Sequence, residues 1–122
     1  MSPKTKQYGL TAIKVVLTLA FAAAGIAKLA GVDMMVQIFG AIGLGQWFRY
    51  LTGSIEIIGV VLLWVNGTQF IGAGLLLCTM IGALVAHTFV LGLGSAPPAV
   101  VLGVLAAVLV FTYRKQNPVA GF

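Results

Sequence analysis

Four apolar runs, separated by short breaks, occupy most of this 122-residue chain. They extend from about Tyr8 to Leu29, Phe48 to Val65, Phe70 to Leu91 and Pro97 to Tyr113. Each approaches the ~20 residues a helix needs to cross a hydrocarbon core ~30 Å thick, the second and fourth at the short end. Strand alternation is absent, Gly and Ala are frequent, and an open sheet cannot satisfy its edges in lipid, which favours helices over a β-barrel. With 61% hydrophobic and 7% charged residues, the chain is neither an ordinary soluble domain nor a disordered one. The expectation is one small domain whose solvent is lipid.

The breaks carry their own chemistry. Asn66-Gly67-Thr68 reads as a tight turn between spans two and three. Ser95-Ala96-Pro97-Pro98 reads as a helix start, with a hydroxyl cap and proline in the first turn. The connection between spans one and two is longer and apolar. From Asp33 it places Met34, Met35, Ile38, Phe39 and Ile42 on one helical face, then stops at Gly43-Leu44-Gly45. It reads as a short interfacial helix with Asp33 as its N-cap, followed by an aromatic belt of Trp47, Phe48 and Tyr50. The predicted fold is therefore all-α: a transmembrane four-helix bundle with a short interfacial helix between spans one and two.

Positive charge orients such a bundle. Lys4, Lys6 and Lys14 precede or open span one, and Arg114 and Lys115 close span four. An even number of spans puts both termini on one side, so the expected placement is a bacterial inner membrane with both termini cytoplasmic. The formal net charge of +5 lies mostly at these ends, with no basic stripe for nucleic acid. Basic residues, Val15 to Phe21 and Ala22-Ala23-Ala24 loosely fit a signal peptide, but the run is read as a retained span. Asn66-Gly67-Thr68 matches a glycosylation sequon, yet on this topology it is a cytoplasmic turn. Cys78, the single cysteine, sits in an apolar run and reads as a small packing residue.

Ionisable groups inside a membrane cost roughly 2.5 to 3.5 kcal/mol at a helix centre, so their positions carry the functional signal. Glu56 lies about 10 Å deeper than Arg49 along span two, too deep to reach the headgroups. It must be neutralised, paired, or facing a wet cavity. Lys28 lies about 21 Å beyond Lys14 on span one, where snorkelling to the outer surface competes with an inward role. His87 lies about 8 Å below the outer end of span three, either as a hydrogen-bonded packing residue or as a ligand-facing one. All three fall in the outer half of the bundle, and Arg49 and Asp33 lie near the same rim. Lys28, Glu56, His87 and Arg49 are thus the candidate ligand-binding or proton-handling residues.

Small residues recur every four positions at Gly74, Cys78, Gly82 and Ala86, at Ala20 and Ala24, and at Ala99, Gly103 and Ala107. Such ridges let helices pack closely, within the bundle or between copies of the chain. There is no phosphate loop, no Cys-x-x-Cys pair and no histidine pair for metal or haem, so no metal site and no catalytic constellation is assigned.

The order Ala24-Gly25-Ile26-Ala27-Lys28-Leu29, then Phe39 to Gly45 with Trp47, then Leu51-Thr52-Gly53-Ser54-Ile55-Glu56 with Gly59, and finally His87, resembles the DoxX family of small bacterial membrane proteins. The resemblance runs from about Val15 to Lys115. Gly45-Gln46 departs from it, since many relatives carry proline before the tryptophan. The resemblance implies a four-helix membrane bundle with Lys28, Glu56 and His87 at motif positions. It also implies a link to quinone-linked and other membrane oxidoreductase systems, while more distant relatives look like assembly chaperones or cargo receptors.

Three functions compete on this reading. The first is a non-catalytic accessory subunit of a redox system, offering an outer-leaflet polar pocket to a quinone-like or other lipophilic ligand or partner. The second is a structural or assembly protein, in which the polar trio locks the bundle. The third is a proton or solute transporter, which the absence of ionisable residues from the inner half beyond Lys14 disfavours. The expected partners are the bilayer and a membrane redox complex or further copies of the chain.

Overall fold

The computed structural model describes residues 2–92, 94 and 97–116, all of them in helices and short turns. Five α-helices run in order: α1 Pro3–Ala30, α2 Asp33–Ile42, α3 Trp47–Leu63, α4 Gln69–Ala86 and α5 Pro97–Thr112. A π-helical turn, His87–Leu91, prolongs α4, and a 3₁₀ turn, Arg114–Gln116, follows α5.

Local chemistry explains the boundaries. The Ser2 hydroxyl accepts a hydrogen bond from Thr5 N at 3.1 Å and caps α1, with Pro3 at its first position. Gly31 ends α1 in the left-handed region, at φ 72°, and its N–H bonds the Ala27 and Lys28 carbonyls. At the start of α2 the structure corrects one expectation. Val32 is the cap, without a side-chain bond, and Asp33 is the first helical residue. A carboxylate there still meets the positive end of the helix dipole. Between α3 and α4, the Thr68 hydroxyl bonds the carbonyls of Leu62 and Val65, each at 2.9 Å. The proposed Ser95 cap lies outside the described residues, and α5 begins at Pro97.

Two helical segments, Pro3–Ala30 and Gln69–Leu91, are long and apolar enough to cross a membrane. α3 and α5, of 17 and 16 residues, are shorter, about 26 and 24 Å at 1.5 Å per residue. Large apolar side chains including Leu19, Ile26, Ile58, Val61, Ile81, Val104 and Phe111 face outward. A soluble monomer does not expose apolar surface on this scale, whereas lipid accepts it.

α1 packs on α3, α3 on α4 and α4 on α5, and α1 touches α5 more sparsely. The shared core comprises Leu17, Phe21, Val60, Leu63, Ala73, Leu76, Ala106 and Leu109. Glycine pairs set the two central crossings. A Cβ on Gly53 would lie 3.1 Å from the Gly25 carbonyl oxygen, and one on Gly72 would lie 2.7 Å from that of Gly59. Backbones approach this closely only where no side chain intervenes.

The ridge expected at Gly74, Cys78, Gly82 and Ala86 is not the packing face of α4. A Cβ on Gly74 or Gly82 meets nothing within 4 Å, and Cys78 is exposed. The face that packs carries Gly72, Ala73 and Leu76. On α5 the buried row is Ala99, Gly103 and Ala106, with Ala107 exposed. A strict four-residue step drifts around a helix of 3.6 residues per turn, so a long contact alternates steps of three and four.

Candidate functional site

The buried stripe of α3 runs Arg49, Gly53, Glu56, Gly59, Val60 and Leu63. Because Gly53 lacks a side chain, α1 comes close enough that Lys28 Cβ lies 3.0 Å from where a Gly53 Cβ would stand. One helical turn further along α3, Glu56 meets the end of that lysine, with Lys28 Nζ 2.7 Å from Glu56 Oε1. The carboxylate side chain is 1% exposed and the lysine 12%. Lys28 therefore turns inward to a partner instead of snorkelling out. Its ammonium carries three N–H groups, so two remain to serve a further acceptor.

Arg49 braces the pair from behind. It is buried, its Nη1 donates to the Lys28 carbonyl, and its Nε donates to Gln46 Oε1 at 2.8 Å. Its guanidinium also stands 4.3 Å from the centre of the Tyr50 ring. Gln46 in turn donates to the Val36 carbonyl at 3.1 Å, tying in α2. Arg49 thus places a cation at the C-terminal end of α1 and fixes the turn of helix that bears Lys28. Lysine cannot reproduce this two-sided fork. Arg49→Lys is expected to lower stability by about 1.5 kcal/mol, the scale of one hydrogen bond to a charged group. Thermal unfolding in detergent micelles checks this, and an unchanged midpoint would refute the bracing role.

Beyond the ion pair lies a cavity of about 660 Å³ between α2, α3 and the C-terminal half of α4. Lys28, Glu56 and His87 all line it, and most of the remaining wall is apolar. Phe39 and Phe48 form one side, their ring centres 5.9 Å apart. His87 opens the π-helical turn, where its Nδ1 lies 3.2 Å from the Gly92 carbonyl and its own carbonyl accepts from Gly92 N at 2.9 Å. Extra residues in such turns redirect side chains and recur at functional sites. Of the four residues singled out from sequence, three share the cavity; Arg49 is behind the wall, and Asp33 is outside the lining.

Two polar residues on the wall were not singled out as site residues in the sequence. Thr52 donates to the Phe48 carbonyl at 2.9 Å and Thr79 to that of Leu76 at 2.8 Å, which leaves each hydroxyl oxygen able to accept. The signal for Thr52 was present, because it stands four residues before Glu56 on one helical face. Thr79 has no such neighbour, and only the packing of α4 on α3 brings it to the wall.

A family model described as the DoxX-like family matches residues 12–111, which include the ion pair, Arg49 and His87. The chain belongs to the DoxX-like family. Among curated proteins, this DoxX-like chain is similar to one from Bacillus subtilis (strain 168) named "Putative oxidoreductase CatD", at 32% identity over 83 residues. That match covers 67% of the DoxX-like chain and 61% of the relative, so the chain spans about three-fifths of the relative's length. No solved structure matches it.

Proposed function

We propose that this DoxX-like protein is a small accessory subunit of a quinone-linked redox system, without catalytic activity of its own. It binds a lipophilic ligand in the cavity beside Lys28 and Glu56. The observation that carries this reading is one largely apolar cavity of about 660 Å³ holding the Lys28–Glu56 pair and His87 on its wall. Ligand sites of this kind span ~300 to 1,000 Å³ and combine apolar walls with a few convergent polar groups. A quinone fits that chemistry. Its ring lies against Phe39 and Phe48, Lys28 donates to one carbonyl oxygen, and the imidazole of His87 serves the opposite polar edge. The oxidoreductase name of the Bacillus subtilis relative supports the redox context.

In this reading α1, α3, α4 and α5 form a four-span bundle in the inner membrane. Both termini are cytoplasmic, and the cavity lies in the outer leaflet. The basic residues Lys4, Lys6, Lys14, Arg114 and Lys115 at the two chain ends support that orientation. Gly74, open on α4 and outside the cavity lining, supports contact with a further copy or a partner helix.

Native mass spectrometry of the full chain in mild detergent tests the function. The wild type is expected to retain a lipophile of quinone-like mass, and Glu56→Gln at matched abundance to lose most of it, because Lys28 is then no longer held at the wall. A protein partner retained by both forms, with no small molecule in either, would instead favour the assembly role.

A further inference from the structure

The opposite end of the molecule holds a second cavity, of about 480 Å³, which the redox reading does not use. One face of α1 lines it with Lys6, Gln7, Thr11 and Lys14, and the α3–α4 turn and Tyr113 close it. Lys14 is the fixed element. Its Nζ lies 4.9 Å over the Trp64 ring and 5.9 Å from the centre of Tyr113. Trp64 is itself held by its Nε1 bond to the Thr18 hydroxyl at 2.8 Å, and that hydroxyl donates to the Lys14 carbonyl at 2.7 Å. An ammonium between two aromatic faces is positioned, yet rings do not neutralise it as a carboxylate does.

No carboxylate side chain of the protein is placed to do so. The chain has two acidic residues: Glu56 is committed to Lys28, and Asp33 begins α2 at the other end. Trp64 and Tyr113 are the residue types that settle at headgroup level, so the cavity lies where lipid phosphates lie. Amide and hydroxyl groups of Gln7, Thr11 and Asn66 add hydrogen-bonding capacity around the two cations.

We infer that this cavity binds a phosphate group, that of an anionic phospholipid headgroup, with Lys14 as the preset cation and Lys6 closing over it from outside. Basic pockets between membrane helices bind such headgroups.

The test is native mass spectrometry of the full chain in detergent with equal concentrations of phosphatidylglycerol and phosphatidylcholine. The wild type is expected to retain phosphatidylglycerol preferentially. K6Q should reduce the preference about fivefold and K6Q/K14Q should abolish it, while K4Q/K115Q, which removes equal charge outside the cavity, should leave it intact. Lys6 is exposed, so K6Q tests the site even where K14Q disturbs packing. Equal retention of the two lipids by the wild type would overturn the proposal. So would a K4Q/K115Q loss as large as that of K6Q/K14Q. Displacement of the lipid by soluble glycerol phosphate would support the phosphate site and assign its ligand to the soluble pool, and resistance to that displacement assigns it to the bilayer.

Discussion

Lys28→Met, with Glu56 left in place, is expected to destabilise the protein by about 3–5 kcal/mol, the cost of leaving a buried charge without its partner. The Glu56 side chain is 1% exposed, and Lys28 Nζ at 2.7 Å is its ion-pair partner. No described donor meets hydrogen-bonding geometry at its Oε1, so the ion pair is its one described compensation. Removing the carboxylate instead is milder. Lys28 lies in the last turn of α1 and is 12% exposed, so its ammonium can turn outward once Glu56→Gln releases it. The double variant Lys28→Met/Glu56→Leu, which replaces the pair with apolar side chains, should recover most of the stability lost in Lys28→Met. Thermal unfolding of the four proteins in one detergent measures the cycle. A double variant as unstable as Lys28→Met would show that the loss comes from packing around the lysine stem. The double variant also separates stability from function: it should be well folded and still fail to retain a polar-headed lipophile.

The fold was legible where composition and punctuation decide it. The apolar runs, the Asn66-Gly67-Thr68 turn and the Gly43 stop require no knowledge of neighbours, and the helices follow them closely. At the site, counting residues along each helix placed Lys28, Glu56 and His87 at one depth, and they share a cavity wall. Depth could not say which way Lys28 turns. That depends on the Gly25–Gly53 contact, a relation between two helices that neither segment contains alone. Arg49 shows the same limit. Its position at the rim suggested a ligand contact, but the left-handed turn at Gly31 brings the end of α1 against it and makes it a brace. On α4, Gly72 and the expected row beginning at Gly74 differ by a rotation about the axis, and only the position of α3 selects Gly72 over Gly74.

That selection makes the second large effect a contrast between neighbours. Gly72→Val is expected to lower stability by about 3 kcal/mol, the upper end of ordinary overpacking costs. A Cβ at position 72 would stand 2.7 Å from the Gly59 carbonyl oxygen and 3.0 Å from Leu63 N, both backbone atoms that no rotamer change can move. The helices must separate, and α3 carries Glu56 on the same buried stripe as Gly59. Gly74→Val, two residues along the same helix, adds its side chain where nothing lies within 4 Å. It should shift stability by no more than about 0.5 kcal/mol, since the valine replaces the most flexible residue of a helix interior without a clash. Thermal unfolding in detergent reads the difference directly, and ligand retention by native mass spectrometry reads its consequence. Gly72→Val is expected to lose the lipophile with its helices forced apart, and Gly74→Val to keep it. Equal unfolding midpoints for the two variants would mean that α4 packs on α3 through a face other than Gly72, and the placement of Thr79 and His87 on the cavity wall would fall with it.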